Sequence, residues 1–480
     1  MGNEKNNVSA IQYRIEQDFL GEISIPSDKY YGIQTSRAAE NFQVTGFPIA
    51  SFPKLIRAIA AIKKAAAVAN RHLGLLSPQI ASAISNACDE IMQNHLFENF
   101  IVDLIQGGAG TSTNMNVNEV IANRSLELLG YKKGQYHIVN PNDHVNLSQS
   151  TNDVYPTAIK IALISSIQEL VPPMTDLIHT FQSKEREFAD VLKIGRTQLR
   201  DAVPMTLGQE FGAYATTLSE DIERLHEVSQ LLTEINLGGT AIGTGINTDP
   251  RYAELVCKEL RDITAINLKL SPNLIEATQD TGVFVLLSGV LKRTAVKLSK
   301  ICNDLRLMSS GPRAGLNEIN LPAVQAGSTI MPGKVNPVIP EMVSQVCYHV
   351  IGNDLIVTLA AEAGQLELNP YLPLIAFSLS GSTRMLRNAM ITLTTRCLKG
   401  ITANREYCLQ TVKDSLGIAT ALTPYIGYEK AAEIAQEAYQ TGQSVYDLVL
   451  AHGILSHKEL MDLLSPENLI KPQRGQEKPS

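Results

Sequence analysis

No two cysteines in this 480-residue chain are spaced as CxxC. Cys88, Cys257, Cys302, Cys347, Cys397 and Cys408 stand far apart, which excludes a disulfide framework or a cysteine-rich zinc site and fits buried thiols in a reducing cytoplasm. There is no run of ~18 apolar residues, so no transmembrane helix is expected. The first 22 residues have neither an apolar core nor a small-residue cleavage site, which excludes a secretory signal. Met1-Gly2-Asn3 resembles the start of a myristoylation motif, but Asn6 stands where Ser or Thr is required. There is no HExxH, no GxSxG, no repeat and no low-complexity tract, and the nine histidines are not paired at metal-ligand spacing. Excess positive charge is missing too. A net charge of −7 and a pI near 5.8 argue against a general nucleic-acid surface. They leave an anionic substrate open, because a site is set by local charge.

What is present is an ordinary globular composition, with 44% hydrophobic and 19% charged residues. At ~150 residues per domain the length suggests about three domains. Residues 1–150 are mixed but mostly helical, with periodicity at Ile56–Leu73 and Pro78–Asn94, and with room for a short strand or two near the start. Residues 151–404 carry five long segments: Asn152–Leu192, Thr206–Leu237, Asp280–Ser309, Pro340–Leu368 and Leu372–Ile401. Pro156, Pro172 and Pro173 are expected to bend or break the first. The second, read as one helix, would be roughly 48 Å long at 1.5 Å per residue. Rods of this length need one another to bury their apolar faces, so the central region reads as a long-helix bundle. VFVLLSGVL at 283–291 is apolar on most faces, which suggests packing between bundles of several subunits. Residues 405–480 read as a small C-terminal helical domain whose last stretch, ENLIKPQRGQEKPS, is a frayed polar terminus.

Two glycine-bearing segments imitate cofactor loops. GGTAIGTG at 238–245 follows a helix, whereas a dinucleotide fingerprint needs a strand before it and a helix after it. Gly327 to Lys334 resembles a phosphate loop. However, five residues separate Gly327 from Gly333 where that motif has four, and Val335 replaces the required Ser or Thr.

Four polar segments interrupt the helical pattern: 106–118 (QGGAGTSTNMNVN), 143–153 (DHVNLSQSTND), 195–204 (GRTQLRDAVP) and 327–337 (GSTIMPGKVNP). Taken singly, such loops are usually turns. Together they offer hydroxyls, amides and one lysine with almost no carboxylates, an inventory suited to a substrate rich in carboxylate oxygens. Ser150-Thr151-Asn152 also reads as a helix N-cap, and a helix N-terminus favours anions.

GTSTNMN, QSTND, GRTQLRDAVPMTLGQE and GSTIMPGKVNP, in this order along the chain, resemble the signature blocks of the fumarase/aspartase superfamily and follow the family's order. The likeness runs over almost the whole chain. It implies a mainly α, three-domain fold with a central long-helix bundle, and a homotetramer whose active sites are each built from three subunits. NPNDHVN at 140–146, NEINLP and KVNPVIPE are similar to the aspartase branch; fumarases usually have HPNDDVN, from which Asn140 and His144 depart. Gln198 replaces the histidine that fumarases carry after GRT.

The resemblance implies reversible anti elimination of ammonia from L-aspartate to give fumarate. The alternative is a class II fumarase acting on L-malate. Ser328 is implied as the base, with Lys334 and Asn336 completing the catalytic set. Thr111, Ser150, Thr151 and Thr329 are implied to hold the side-chain carboxylate. Thr197, Lys334 and Asn336 would hold the α-carboxylate, and Asn152, Gln198 and Thr111 the amino group. From residue type alone Ser328 is an ordinary loop or N-cap serine and Lys334 a solvated surface lysine. Thr329 departs from the family's second serine by a methyl group. Gln198 cannot titrate, so it cannot form a charged relay with Glu341. No cofactor is expected for the chemistry, activation by a divalent cation stays open, and no residues are assigned to a metal. A small dicarboxylate is the expected ligand, with no nucleic acid or membrane partner and a cytoplasmic location. Arg37 reads as a structural ion-pair residue rather than an anion site.

Overall fold

The computed structural model describes residues 12–469. Met1-Gly2-Asn3 and residues 470–480 of the polar terminus lie outside the described residues.

In chain order the main elements begin with β1 (Tyr13–Asp18) and β2 (Gly21–Pro26), an antiparallel hairpin. Four helices follow: α1 (Ile33–Asn41), α2 (Pro53–His72), α3 (Pro78–Met92) and α4 (Thr111–Leu128). Next come α5 (Thr151–Glu187), the hairpin β3 (Leu192–Thr197) and β4 (Arg200–Thr206), and α6 (Leu207–Leu231). The short elements β5 (Glu234–Ile235), α7 (Tyr252–Thr264), β6 (Lys269–Leu270) and α8 (Leu274–Gln279) lead to α9 (Gly282–Met308). After β7 (Ile319–Asn320) come α10 (Val338–Glu362), α11 (Leu372–Arg396) and β8 (Thr402–Ala403). The C-terminal helices are α12 (Arg405–Asp414), α13 (Ile418–Ile426), α14 (Tyr428–Thr441), α15 (Val445–Ala451), α16 (His457–Leu463) and α17 (Pro466–Leu469).

The expected long helices are present with trimmed ends. α6 stops at Leu231, and Glu234–Ile235 leaves helical geometry to pair in parallel with Lys269–Leu270. At 25 residues it spans roughly 38 Å rather than the expected 48 Å. The expected break in the first segment is corrected: α5 is one helix of 37 residues through all three prolines. Pro156 cannot donate to the carbonyl of Asn152, but that carbonyl accepts from Asn236 Nδ2 at 3.1 Å. The segment GRTQLRDAVP, expected as a loop, is the β3–β4 hairpin. GGTAIGTG follows the two-residue strand β5 rather than a helix, but no helix begins until Tyr252. The fingerprint reading therefore still fails.

The chain divides into two compact units. Unit 1 comprises residues 1–170, 224–292 and 349–385; unit 2 comprises 171–223, 293–348 and 386–480. In unit 1, α2 packs against α3 and α7 through an alanine- and isoleucine-rich face. Pro53 starts α2 at a position where its missing N–H costs nothing, and Gly74 (φ +75°) follows its C-terminus in the left-handed region that favours glycine. In unit 2, Phe181, Phe188, Phe211 and Tyr214 form an edge-to-face cluster between α5 and α6. The Tyr214 hydroxyl lies 2.9 Å from Asp304 on α9. A second core in unit 2 gathers Val412, Ile418, Leu422, Ile434, Val445, Val449 and Leu460 around Leu192 and Ile194 of β3. The six cysteines are all buried and free, as expected. Arg37 makes a bidentate pair with Asp18 at 2.8 and 2.9 Å, so the structural reading of that residue holds. Among the described residues no helix is long and apolar enough to cross a membrane.

Candidate functional site

The candidate residues fall in both units. Unit 1 carries Thr111, Ser150, Thr151 and Asn152; unit 2 carries Thr197, Gln198, Ser328, Thr329, Lys334 and Asn336.

In unit 1 the structure brings two helix N-termini together. Ser150 caps α5: its Oγ accepts from Asn152 N at 3.2 Å, and Asp153 Oδ1 accepts from Ser150 N at 3.0 Å. This reciprocal arrangement satisfies two otherwise orphaned amides. Thr111 opens α4, and three residues on, Asn114 Nδ2 donates to Thr151 Oγ1 at 3.1 Å. Gly110 makes the approach feasible. It sits at φ +94°, and a Cβ there would lie 2.4 Å from the ring of buried Tyr155. The result is a concentration of backbone N–H groups, hydroxyls and amides, which suits an anion. Asn152 Nδ2 is engaged by the carbonyl of Ala241 at 2.7 Å.

Asp153 is fully buried beneath this turn, where it also accepts from Gly238 N and Thr240 N, both at 3.0 Å. Burial pushes its carboxyl up to about 6 against these bonds and the attraction of Lys63. The preceding turn holds itself: Asn140 N donates to His144 Nδ1 at 2.9 Å, and Asn140 Oδ1 caps Asn142 and Asp143.

In unit 2 the segment 327–337 is a loop closed at its base. Gly327 N donates to the Lys334 carbonyl and Asn336 Nδ2 to the Gly327 carbonyl, both at 2.7 Å. A Cβ on Gly327 would lie 2.8 Å from Asn336 N and from the Lys334 carbonyl oxygen, so only glycine permits this closure. Gly333 turns the loop at φ +79°. Ser328 Oγ accepts from Ile330 N at 3.2 Å and from Met331 N at 3.0 Å. Lys334 and Thr329 are exposed, and Lys334 makes no ion pair among the described residues. Thr197 ends β3, and Gln198 and Leu199 form a two-residue turn with φ of +52° and +62°. Left-handed geometry at non-glycine residues costs roughly 1 kcal/mol each, and such strain persists only where the surroundings impose it. Glu341 is exposed in the first turn of α10.

Sequence reasoning missed two supporting clusters. Fully buried Glu318 binds Lys193 at 2.9 Å and Arg196 at 2.6 Å, tying the strand that ends at Thr197 to the NEINLP segment. Burial alone would lower the Lys193 ammonium, but Glu210 and Glu318 outweigh it and hold it above the ordinary lysine value. The second cluster joins Lys63, Asn114, Asn118 and Asn146 beneath the Ser150 turn. Its only signal in the sequence was a lysine inside an otherwise apolar helix face. Among the described residues no group of three or more His, Cys, Asp or Glu is placed to hold a metal ion.

The family described as Lyase matches residues 21–352, and the one described as Fumarase C C-terminus matches residues 418–471. Aspartate ammonia-lyase of Helicobacter pylori strain J99 is 56% identical over 459 residues, covering 96% of this chain and 98% of its own. The Escherichia coli K12 aspartate ammonia-lyase is 52% identical over 460 residues, covering 96% of each chain. Among solved structures, fumarate lyase:delta crystallin from Brucella melitensis bound to cobalt superposes with a TM-score of 0.94 at 56% identity, covering 96% of this chain and 100% of that one. A class II fumarase from Schistosoma mansoni, with a TM-score of 0.90 over the same shares of each chain, is only 34% identical. With these relatives matching along nearly its whole length, the chain belongs to the fumarase/aspartase superfamily of lyases and, within it, to the aspartate ammonia-lyase family.

Proposed function

We propose that the chain catalyses the reversible anti elimination of ammonia from L-aspartate to give fumarate, with Ser328 as general base. The hard step is removal of a proton from the carbon beside the side-chain carboxylate, which leaves that carboxylate with a further negative charge. Fixed donors aimed at developing charge are the largest catalytic lever for such a step.

The observation that carries this reading is the pair of amides on Ser328. A serine hydroxyl is a poor base, but an Oγ that already accepts from Ile330 N and Met331 N has donors in place to stabilise its alkoxide. Lys334 adds positive charge from the same loop. In this reading Thr111, Ser150, Thr151 and Thr329 hold the side-chain carboxylate, Thr197, Lys334 and Asn336 the α-carboxylate, and Asn152, Gln198 and Thr111 the amino group. Gln198 does not titrate, which is compatible with an ammonium that leaves without an acid.

No cofactor takes part in these steps. The working enzyme is a cytoplasmic homotetramer in which three subunits furnish each site. Support comes from α10, which exposes Tyr348, Leu355, Ile356 and Leu359 along its length, an apolar helix face that a neighbouring subunit would cover. The three-domain division at residues 150 and 404 belongs to the same reading. Replacing Ser328 by Ala tests the base: kcat should fall roughly a thousandfold, in the range of a lost general base, with the fold unchanged by circular dichroism. Retention of more than about a tenth of wild-type kcat would remove the assignment.

A further inference from the structure

Lys63 lies midway along α2 with 0% of its surface exposed. Its neighbour Lys64 turns away to Asp89 at 2.6 Å. Lys63 Nζ donates instead to Asn146 Oδ1 at 2.8 Å. That one oxygen also accepts from Asn114 Nδ2 and Asn118 Nδ2, each at 3.1 Å. Two routes lead from here to the candidate site. Asn146 Nδ2 donates to the Gln149 carbonyl at 3.1 Å, on the peptide that precedes Ser150. Asn114 Nδ2 reaches Thr151 Oγ1 at 3.1 Å.

Packing alone does not account for an ammonium in this place. A methionine would fill similar volume without desolvating a charge, and a buried cation is disfavoured unless its surroundings compensate. Here they are acceptor-rich. The side-chain oxygens of Asn114, Asn118 and Gln149 are buried with no hydrogen-bond donor among the described residues. A protonated lysine offers three donors and no acceptor. Asp153 attracts it across the cluster without a direct ion pair, while burial opposes the charge and pulls its value down to about 7. Ser150, Thr151 and Asn152 carry no cation of their own, so Lys63 is the positive charge under their turn.

We propose that Lys63 is a positioning residue: through Asn146 it places a buried positive charge beneath the Asn146–Thr151 turn, which holds the carboxylate that gains charge as the substrate is deprotonated. This rests on the assignment of Ser150 and Thr151 to that carboxylate. Because the charge on the carboxylate rises between ground state and transition state, the effect falls on kcat more than on KM.

The test is Lys63→Met, assayed at about pH 6, below the value of about 7 at which buried Lys63 loses its charge, for fumarate formation from L-aspartate beside wild type, with thermal unfolding and elution volume as controls. The expected result is a folded variant with kcat reduced about 30- to 100-fold and KM raised less than about fivefold, somewhat below the loss of a direct oxyanion donor. A folded variant with both constants within about threefold of wild type overturns the proposal, as does a loss confined to KM. If Lys63→Met does not fold, Asn146→Ser cuts the same link with the ammonium retained, and unchanged kcat there overturns it. A wild-type crystal complex with succinate adds an arm without substitution. It should place a carboxylate on the Ser150 and Thr151 hydroxyls, and a carboxylate bound elsewhere contradicts the proposal. An active wild type with an indifferent Lys63→Met sinks this inference alone. A wild type that makes no fumarate from aspartate sinks the proposed reaction with it.

Discussion

The turn at 146–153 and the loop at 327–337 both present hydroxyls and amides, yet they are built in opposite ways. The turn rests on a buried charged layer, with Lys63 on Asn146 and Asp153 bonded to three backbone amides. It also starts a helix of 37 residues. The loop rests on a two-bond clasp at Gly327 and is exposed along most of its length. In the proposed reaction this contrast would separate two tasks. Holding a carboxylate in a fixed place calls for a preorganised anion site. Bringing a base to carbon and releasing product calls for a segment that can move.

Substitutions should respect that contrast. Gly110→Ala strikes the rigid half. It forces a left-handed alanine and drives a methyl group into buried Tyr155, so it should cost about 3 kcal/mol of stability and lower both the unfolding midpoint and substrate affinity. Gly327→Ala strikes the clasped loop. It prevents the clasp but touches no core, so kcat should fall about 100-fold with the unfolding midpoint nearly unchanged. If Gly327→Ala instead unfolds the protein, or Gly110→Ala is silent, the division of labour is wrong.

Acidity probes the buried layer more gently. Lys63 titrates near 7 in the folded state, against 10.5 for an ordinary lysine, with Asp153 and Cys88 facing it. Between these values the unfolded chain binds more protons than the folded one, so stability rises with pH across the window. Wild type should therefore gain on Lys63→Met from about pH 7 to about pH 10 in denaturant titrations. A difference that stays flat would show that Lys63 titrates normally. The smallest effect is expected at Arg37→Ala, whose guanidinium is bonded to Asp18 and to no candidate site residue. Arg37 holds the Asp18 carboxyl below its ordinary value, so the pair's contribution is present at neutral pH and fades as pH falls through Asp18's lowered value. Turnover should not change.

The long helices were legible because their apolar periodicity extends over many turns. Their ends were not, because α6 ends where Glu234–Ile235 finds a strand partner more than thirty residues away in sequence. The prolines misled for a related reason. The carbonyl that Pro156 leaves unbonded is satisfied by Asn236, a distant side chain that no local rule anticipates. At the site, residues such as Ser328 and Lys334 were legible only through the resemblance of whole motifs. By type alone they are a loop serine and a surface lysine, and their positions here fit that description. Lys63 and Glu318 escaped notice because buried charges are defined by their partners, and those partners lie far along the chain.

Purified protein offered L-aspartate or L-malate as sole substrate, with fumarate followed by its ultraviolet absorbance, decides the matter most directly. Ammonia elimination requires rapid fumarate formation from L-aspartate, an equal release of ammonia and negligible turnover of L-malate. Rapid turnover of L-malate with none of L-aspartate would contradict it and return the chain to the hydratases of the same superfamily.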